Sequence, residues 1–401
     1  MKDKITVLIV DQGVAFGGSL VVVANLVRCL DQEKYRAVVV AEMDKEIVQH
    51  HIKGMAKIYI AKHDFNYVHW QNITEGLQKT RNKFLRKAGL YFLSVIRGLV
   101  NSLYAIKLAI IMLRERVDLV HINNGTNNLE ANLISLLFAR SRIVHIHGIG
   151  SIGILEKLFL KLVPKVIVIS EFVKSSMTKT GIPNDQMLVI PNPVLPDIVP
   201  DGARERVRKK YGLESNAMLF GIFGRVVAWK GQKEFLQAAE LVLKGVQHAR
   251  ALIIGDASDG GDRYLQELRQ FCTDRGITDK VIFTGYVSNV AELYAAMDVV
   301  VHTSIEPEPF GLVITEAMAY GVPVVASTLG APCEIIHDGV DGLLVHPADT
   351  EKLASAIISL LINDDLRTEM GEQARKEVIV RYDANTFARA IEDVYCQVLG
   401  Q

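Results

Sequence analysis

Cysteine is scarce in this chain. The 401 residues hold four, Cys29, Cys272, Cys333 and Cys396, far apart and never as CxxC. That spacing argues against a disulfide framework and a thiolate metal site, and it fits a reducing cytosol. The N-terminal MKDKITVLIVD has an apolar run of only six residues, 5–10, ending in Asp11. That is too short for the apolar core of a secretory signal, so none is expected. The very apolar stretch 84–114 does not hold 18 uninterrupted apolar residues, which argues against a membrane span. No internal repeat or low-complexity segment occurs. The turn after the first apolar run is not GxGxxG, which weakens a dinucleotide-binding reading.

What is present is an ordinary globular composition, 49% hydrophobic, in a chain long enough for two or three domains and a large core. Formal net charge is zero but unevenly spread. Residues 1–195 carry 25 Lys and Arg against 15 Asp and Glu, and residues 196–401 carry 20 against 30. A basic half and an acidic half are expected to meet different partners. Short apolar runs at 5–10, 36–41, 57–61, 118–122, 142–147 and 166–170 alternate with helical stretches, and the pattern resumes at 218–224, 251–255, 281–284 and 298–303. That alternation predicts parallel sheets with Rossmann-like topology. Val189-Ile-Pro-Asn-Pro-Val194 places a linker near 191–200.

Residues 84–114 break the rhythm. Ser94, Arg97, Asn101, Tyr104 and Lys107 recur every three or four residues, a narrow polar stripe on an apolar helix. Lys79, Arg81, Lys83, Arg86 and Lys87 crowd its start. Such a helix fits either an anionic membrane surface or a buried crossover in the first sheet.

The chemistry concentrates in SIEPEPFGLVITE, residues 304–316, continued by AMAYGVPVVAS. It follows an apolar strand and runs into a helix, so it lies where parallel sheets present ligands. Pro307 and Pro309 stiffen the loop, Gly311 admits close approach, and the amides of Gly311, Leu312 and Val313 form an anion site. Glu308 and Glu316 flank that site. A phosphate-bearing, multiply hydroxylated ligand uses both features, and a nucleotide-sugar is one. This E-x7-E pattern with its EAMAYGVPVVAS tail resembles the retaining glycosyltransferase family 4, of GT-B fold. Gly224-Arg225 with Lys230-Gly231 resembles the family's GR…KG signature, and Gly17-Gly18 its N-terminal glycine turn. The tail around Gly330–Glu334 and 341–345 also matches, with Ala331-Pro332 in place of the commoner residues.

The resemblance implies an α/β chain of two Rossmann-like doubly wound domains facing across a cleft. They would be an acceptor-binding domain over 1–193, a donor-binding domain over 194–380, and a C-terminal helix, 381–401, packed back on the first. It implies that Arg225 and Lys230 face a diphosphate, Glu316 the ribose and Glu308 the sugar. His147, at a strand end before Gly148, would contact the transferred sugar, with His145 a weaker possibility. Gly224, Phe310 and the backbone near Val287 and Asn289 would complete the donor site. Because no Asp-x-Asp occurs, no metal and no cofactor is expected. The expected activity is retaining, metal-independent transfer of a sugar, from a UDP-sugar first, to a glycan or lipid-linked acceptor in polysaccharide or glycolipid synthesis. The expected location is cytoplasmic, at the inner face of the membrane where residues 79–107 touch it, and no nucleic-acid partner is expected. A UDP-sugar epimerase, which needs no acceptor, and a non-catalytic binding homologue are the alternatives. The carboxylate pair alone also suits a glycosidase, which has no need of the Arg–Lys pair.

Overall fold

The computed structural model describes residues 4–13, 17–52, 54–62, 73, 76–77, 82–125, 128–149, 152, 154–257 and 262–401. Lys79 and Arg81 lie outside the described residues. The chain forms two units. The first comprises residues 1–169, 173–190 and 385–401, and the second residues 170–172 and 191–384.

The first unit holds seven strands: β1 (Ile5–Asp11), β2 (Tyr35–Ala41), β3 (Lys57–Ile60), β4 (Leu119–Asn123), β5 (Ser141–Ile146), β6 (Lys165–Val168) and β7 (Met187–Val189). They pair in parallel in the order β3-β2-β1-β4-β5-β6-β7. Val7 to Val10 and Val38 to Ala41 are fully buried, which is why these strands read as unbroken apolar runs. β1 neighbours both β2 and β4, so the winding reverses there, and the C-terminal ends of β1 and β4 form a switch point suited to a ligand.

The second unit repeats the plan with β8 (Met218–Phe223), β9 (Ala249–Ile254), β10 (Val281–Gly285), β11 (Val299–His302), β12 (Val324–Ser327) and β13 (Leu343–Val345). The order is β10-β9-β8-β11-β12-β13, again parallel, with its switch point between β8 and β11. Phe220, Phe235, Val242, Val299, Val301 and Leu360 share its core. Burying each such side chain stabilises by about 1.5–3 kcal/mol.

Helix Lys83–Glu115 is the crossover from β3 to β4. It takes the crossover setting, one of the two its sequence left open, and still leaves an apolar side exposed. Tyr104, from the polar stripe, is buried with Leu108 and Met112. Leu103, Ile106, Ile110 and Leu113 face outward, Leu113 at 63% exposure. Asn101 points to the neighbouring helix, where its Nδ2 donates to Glu130 Oε1 at 2.5 Å. Of the stripe, Tyr104 is buried, Asn101 half-buried and Lys107 exposed, and the apolar side is left out. Among the described residues no helix is long and apolar enough to cross a membrane.

Helix Ala384–Leu399 belongs, from Asn385 on, to the first unit. Its Tyr395 and Phe387 are buried there beside His121 and His145. The unit boundary falls at residue 384, a few residues later than the 381 read from the sequence.

Candidate active site

The switch point of the second unit is built from three loops. After β11, the chain 303–311 leads into helix Leu312–Ala319, whose N-cap Gly311 has φ 104°. Only glycine adopts that conformation readily. Among the described residues the amides of Gly311, Leu312 and Val313 donate to nothing, and the first bond of the turn is Ile314 N–H to Gly311 O at 2.9 Å. Glu308 is pinned by its backbone. Its N–H donates to Leu329 O at 3.0 Å and its carbonyl accepts from Ala331 N–H at 2.9 Å. A Cβ on Gly330 would stand 2.4 Å from Glu308 O, so that position needs glycine.

The Glu308 side chain is buried, and its Oε2 receives three donors. Lys230 Nζ lies at 2.5 Å, Ser304 Oγ at 2.9 Å and His302 Nε2 at 3.1 Å. No described donor reaches Oε1. Burial alone would raise this carboxyl, but the His302 hydrogen bond and the Lys230 charge outweigh it and hold it well below the usual carboxylate range. It is therefore ionised at any working pH.

Lys230 is set by the loop after β8. Thr303 Oγ1 donates to Gly231 O at 2.8 Å, and Ile305 N–H donates to Trp229 O at 2.9 Å. Lys230 Nζ also sits 4.1 Å from the Trp229 ring centroid, a cation–π contact. Arg225 is exposed and makes no ion pair with a described residue. Gly224, at φ 130°, has open space where a side chain would stand, and its carbonyl lies 1.9 Å from where a Cβ on Gly255 would be.

Glu316 lies one turn into the helix. Tyr294 Oη donates to its Oε2 at 2.7 Å, and the Tyr294 ring stacks on Phe223 at 4.0 Å. Burial pushes the Glu316 carboxyl up to about 7, opposed by the Tyr294 bond. Phe310 is buried against Tyr382. Val287 is half-buried, and Asn289 is exposed with its Oδ1 accepting from Ala291 N–H at 3.1 Å, which starts helix Ala291–Ala296.

The first unit's switch point carries a second polar group. Helix Gly18–Cys29 has extended Gly17 as its N-cap. Asn123, at the end of β4, donates from Nδ2 to Asp11 Oδ1 at 2.9 Å, and His147 Nε2 donates to Asn123 Oδ1 at 2.7 Å. Burial raises Asp11 and lowers His147 to about 3. Behind His147, His145 lies 4.2 Å away between ring centroids. His145 Nδ1 contacts His121 Nε2 at 3.3 Å, and His121 Nδ1 meets Tyr395 Oη at 2.7 Å. Burial pushes His121 down to about 3 and His145 in the same direction, so the stack is neutral at neutral pH.

Thus Lys230, Glu308, Phe310, Gly311, Leu312, Val313 and Glu316 stand around one strand end, with Gly224 and Arg225 on the loop feeding it. Gly17, Gly18 and His147 stand at the other unit's switch point. His302, the hydrogen bond from Ser304 to Glu308, the Asp11–Asn123 pair that holds His147, and His121 beside His145 escaped sequence reasoning. The usable signal was polar residues at period two inside otherwise buried strands, as in Asp118-Leu-Val-His-Ile-Asn123.

Two family models match the chain in succession. The model described as Glycosyltransferase Family 4 matches residues 16–197, and that described as Glycosyl transferases group 1 matches residues 203–377. An uncharacterized glycosyltransferase MJ1607 of Methanocaldococcus jannaschii is 31% identical over 58% of this chain and 59% of its own length. The N-acetyl-alpha-D-glucosaminyl L-malate synthase of Bacillus anthracis is 34% identical over 48% of this chain and 49% of its own. The match thus spans about half the length of such curated relatives. The solved structure of Anabaena Alr3699/HepE in complex with UDP-glucose shares the fold, with TM-score 0.78, 23% identity, and coverage of 98% of this chain and 99% of that one.

Proposed function

The chain belongs to glycosyltransferase family 4, and we propose that it transfers a sugar, with retention, from a UDP-sugar to a glycan or lipid-linked acceptor without a metal. The observation that carries this reading is the second unit's switch point. There a cation, three unpaired amides and a fixed carboxylate stand together: Lys230 lies 2.5 Å from Glu308, and Gly311 begins three residues later. Cleaving a sugar–diphosphate bond leaves negative charge on the β-phosphate and positive character at the anomeric carbon. Charge of the first kind is met by Lys230, the exposed Arg225 and the amides of Gly311 to Val313, which are already oriented. Glu308, through its unused Oε1, accepts from sugar hydroxyls, and Glu316 accepts from the ribose. His147, whose Nε2–H is committed to Asn123, offers its Nδ1 lone pair to a hydroxyl donor. The leaving phosphate serves as proton acceptor for a same-face attack.

The HepE complex supports uridine as the base. A lipid-linked acceptor at an anionic membrane is supported by the outward apolar face of helix Lys83–Glu115 and the basic first half of the chain.

The test is sugar release from a panel of UDP-, GDP- and ADP-sugars with membrane extract as acceptor, in EDTA and in magnesium. Turnover with a UDP-sugar that persists in EDTA, giving a product of unchanged anomeric configuration, is the expected result. Turnover abolished by EDTA and restored by magnesium or manganese overturns the metal-free reading. Isomerised UDP-sugar formed with no acceptor present points to an epimerase.

A further inference from the structure

Three donors converge on one oxygen of Glu308, while its other oxygen receives none. A carboxylate oxygen offers about two in-plane acceptor directions, so one donor on Oε2 is in excess. The three differ in their freedom to leave. His302 ends the central strand β11 with 3% exposure, and Ser304 is fully buried. Lys230 alone carries a long flexible stem and retains 17% side-chain exposure.

The tautomer of His302 follows from burial. Its Nδ1 is buried with no partner, so the proton sits on Nε2, facing Glu308, because an orphaned N–H is worse than an orphaned lone pair. Ser304 Oγ, 3.1 Å from His302 Nε2, completes a fixed two-donor cradle.

We infer that His302 and Ser304 are positioning residues that hold the Glu308 carboxylate while Lys230 moves to the donor's β-phosphate, so that the Lys230–Glu308 pair is a latch the donor opens. This rests on the donor-binding reading above. Moving Lys230 away would otherwise strip a buried carboxylate of its partners, which is strongly unfavourable. With the cradle in place, Glu308 stays charged and fixed, its Oε1 still free for sugar hydroxyls. Without it, Lys230 is the only counter-charge left and stays where it is.

Calorimetry of UDP against UMP tests this, because UMP lacks the phosphate Lys230 would reach. In the His302→Ala/Ser304→Ala protein the preference for UDP over UMP is expected to fall about tenfold. His302→Gln, which keeps a side-chain N–H donor, should retain the wild-type preference. Lys230→Ala should also lose it, and adding the two alanines to Lys230→Ala should change it no further. Equal weakening of UDP and UMP would show a merely structural role and overturn the latch. So would an unchanged preference in a protein that still transfers sugar, and the donor reading would then stand alone. A wild type that binds neither nucleotide removes the donor reading and the latch together.

Discussion

Glu316 is the residue whose charge the site changes near neutrality. Burial has lifted its carboxyl to about 7, so in the empty protein at that pH half the molecules carry a proton there. On the ribose contact proposed above, the hydroxyls donate to Glu316 and need its ionised form. The sign follows: binding a nucleoside diphosphate expels the proton, so affinity rises as pH rises. Between pH 6 and pH 8 the dissociation constant for UDP should fall about tenfold, one pKa unit below to one above. The phosphate titrates as well, so the profile is read against Glu316→Gln, in which the common phosphate contribution remains and the carboxyl contribution vanishes. Parallel profiles would remove Glu316 from the ribose contact. Glu308 is the counterpart, held ionised by His302 and Lys230 across that range. Both carboxylates were legible in the sequence because they belong to one linear segment, with Lys230 in a second. His302 and Ser304 were not, although they lie within six residues of Glu308, because a strand-end histidine and a loop serine carry no sign of which way their side chains turn.

At the scale of elements, the three loops are stitched by positions where no side chain fits. Gly231 has φ 73°, and a Cβ there would stand 2.0 Å from Thr303 O. Gly276 has φ 64° and nothing within 4 Å. The pair separates two costs. Gly276→Ala meets only the left-handed backbone, about 1–2 kcal/mol. Gly231→Ala meets that and must also push the 303–305 loop away, so it should lose at least about 2 kcal/mol more, and it should weaken UDP binding because Lys230 moves with the loop. Thermal unfolding of both variants checks this, and equal losses would mean the two loops are not tightly joined. The strands themselves were largely visible, since Val-rich runs are what a doubly covered parallel sheet requires. The sequence reading missed β7, Met187–Val189, and β13, Leu343–Val345, as strands, because three residues carry no usable period. In helix Lys83–Glu115 the period was visible but its orientation was not: spacing alone cannot say which side of a helix the sheet takes.

For the whole molecule, the question is what meets the first unit's outward apolar side. Helices Lys83–Glu115, Leu129–Phe138 and Ile154–Lys161 pack one against the next. Their crossovers run β3–β4, β4–β5 and β5–β6, so right-handed connections set them on one side of the sheet. Leu103, Ile106, Ile110, Leu136, Leu137 and Leu158 are all exposed there, where a soluble α/β unit ordinarily presents polar residues. Residues 83–165 carry twelve Lys and Arg against four Asp and Glu. A second copy docking face to face would bring like charges together, whereas an anionic bilayer offers opposite charge and apolar depth at once. Near such a surface each cation contributes about 1 kcal/mol, weakened by salt. The expected outcome is flotation of the protein with anionic vesicles at low salt, with much less at high salt and none with neutral vesicles. Changing Leu103, Ile106 and Ile110 to Gln should remove the salt-resistant part of binding while leaving the fold intact, because those side chains are more than half exposed already. Flotation unchanged in that variant would mean that the cations act without the apolar side. Wild-type protein that stays at the bottom of the gradient while sedimenting as a dimer would assign this side to a second copy, and the acceptor would then be sought in solution.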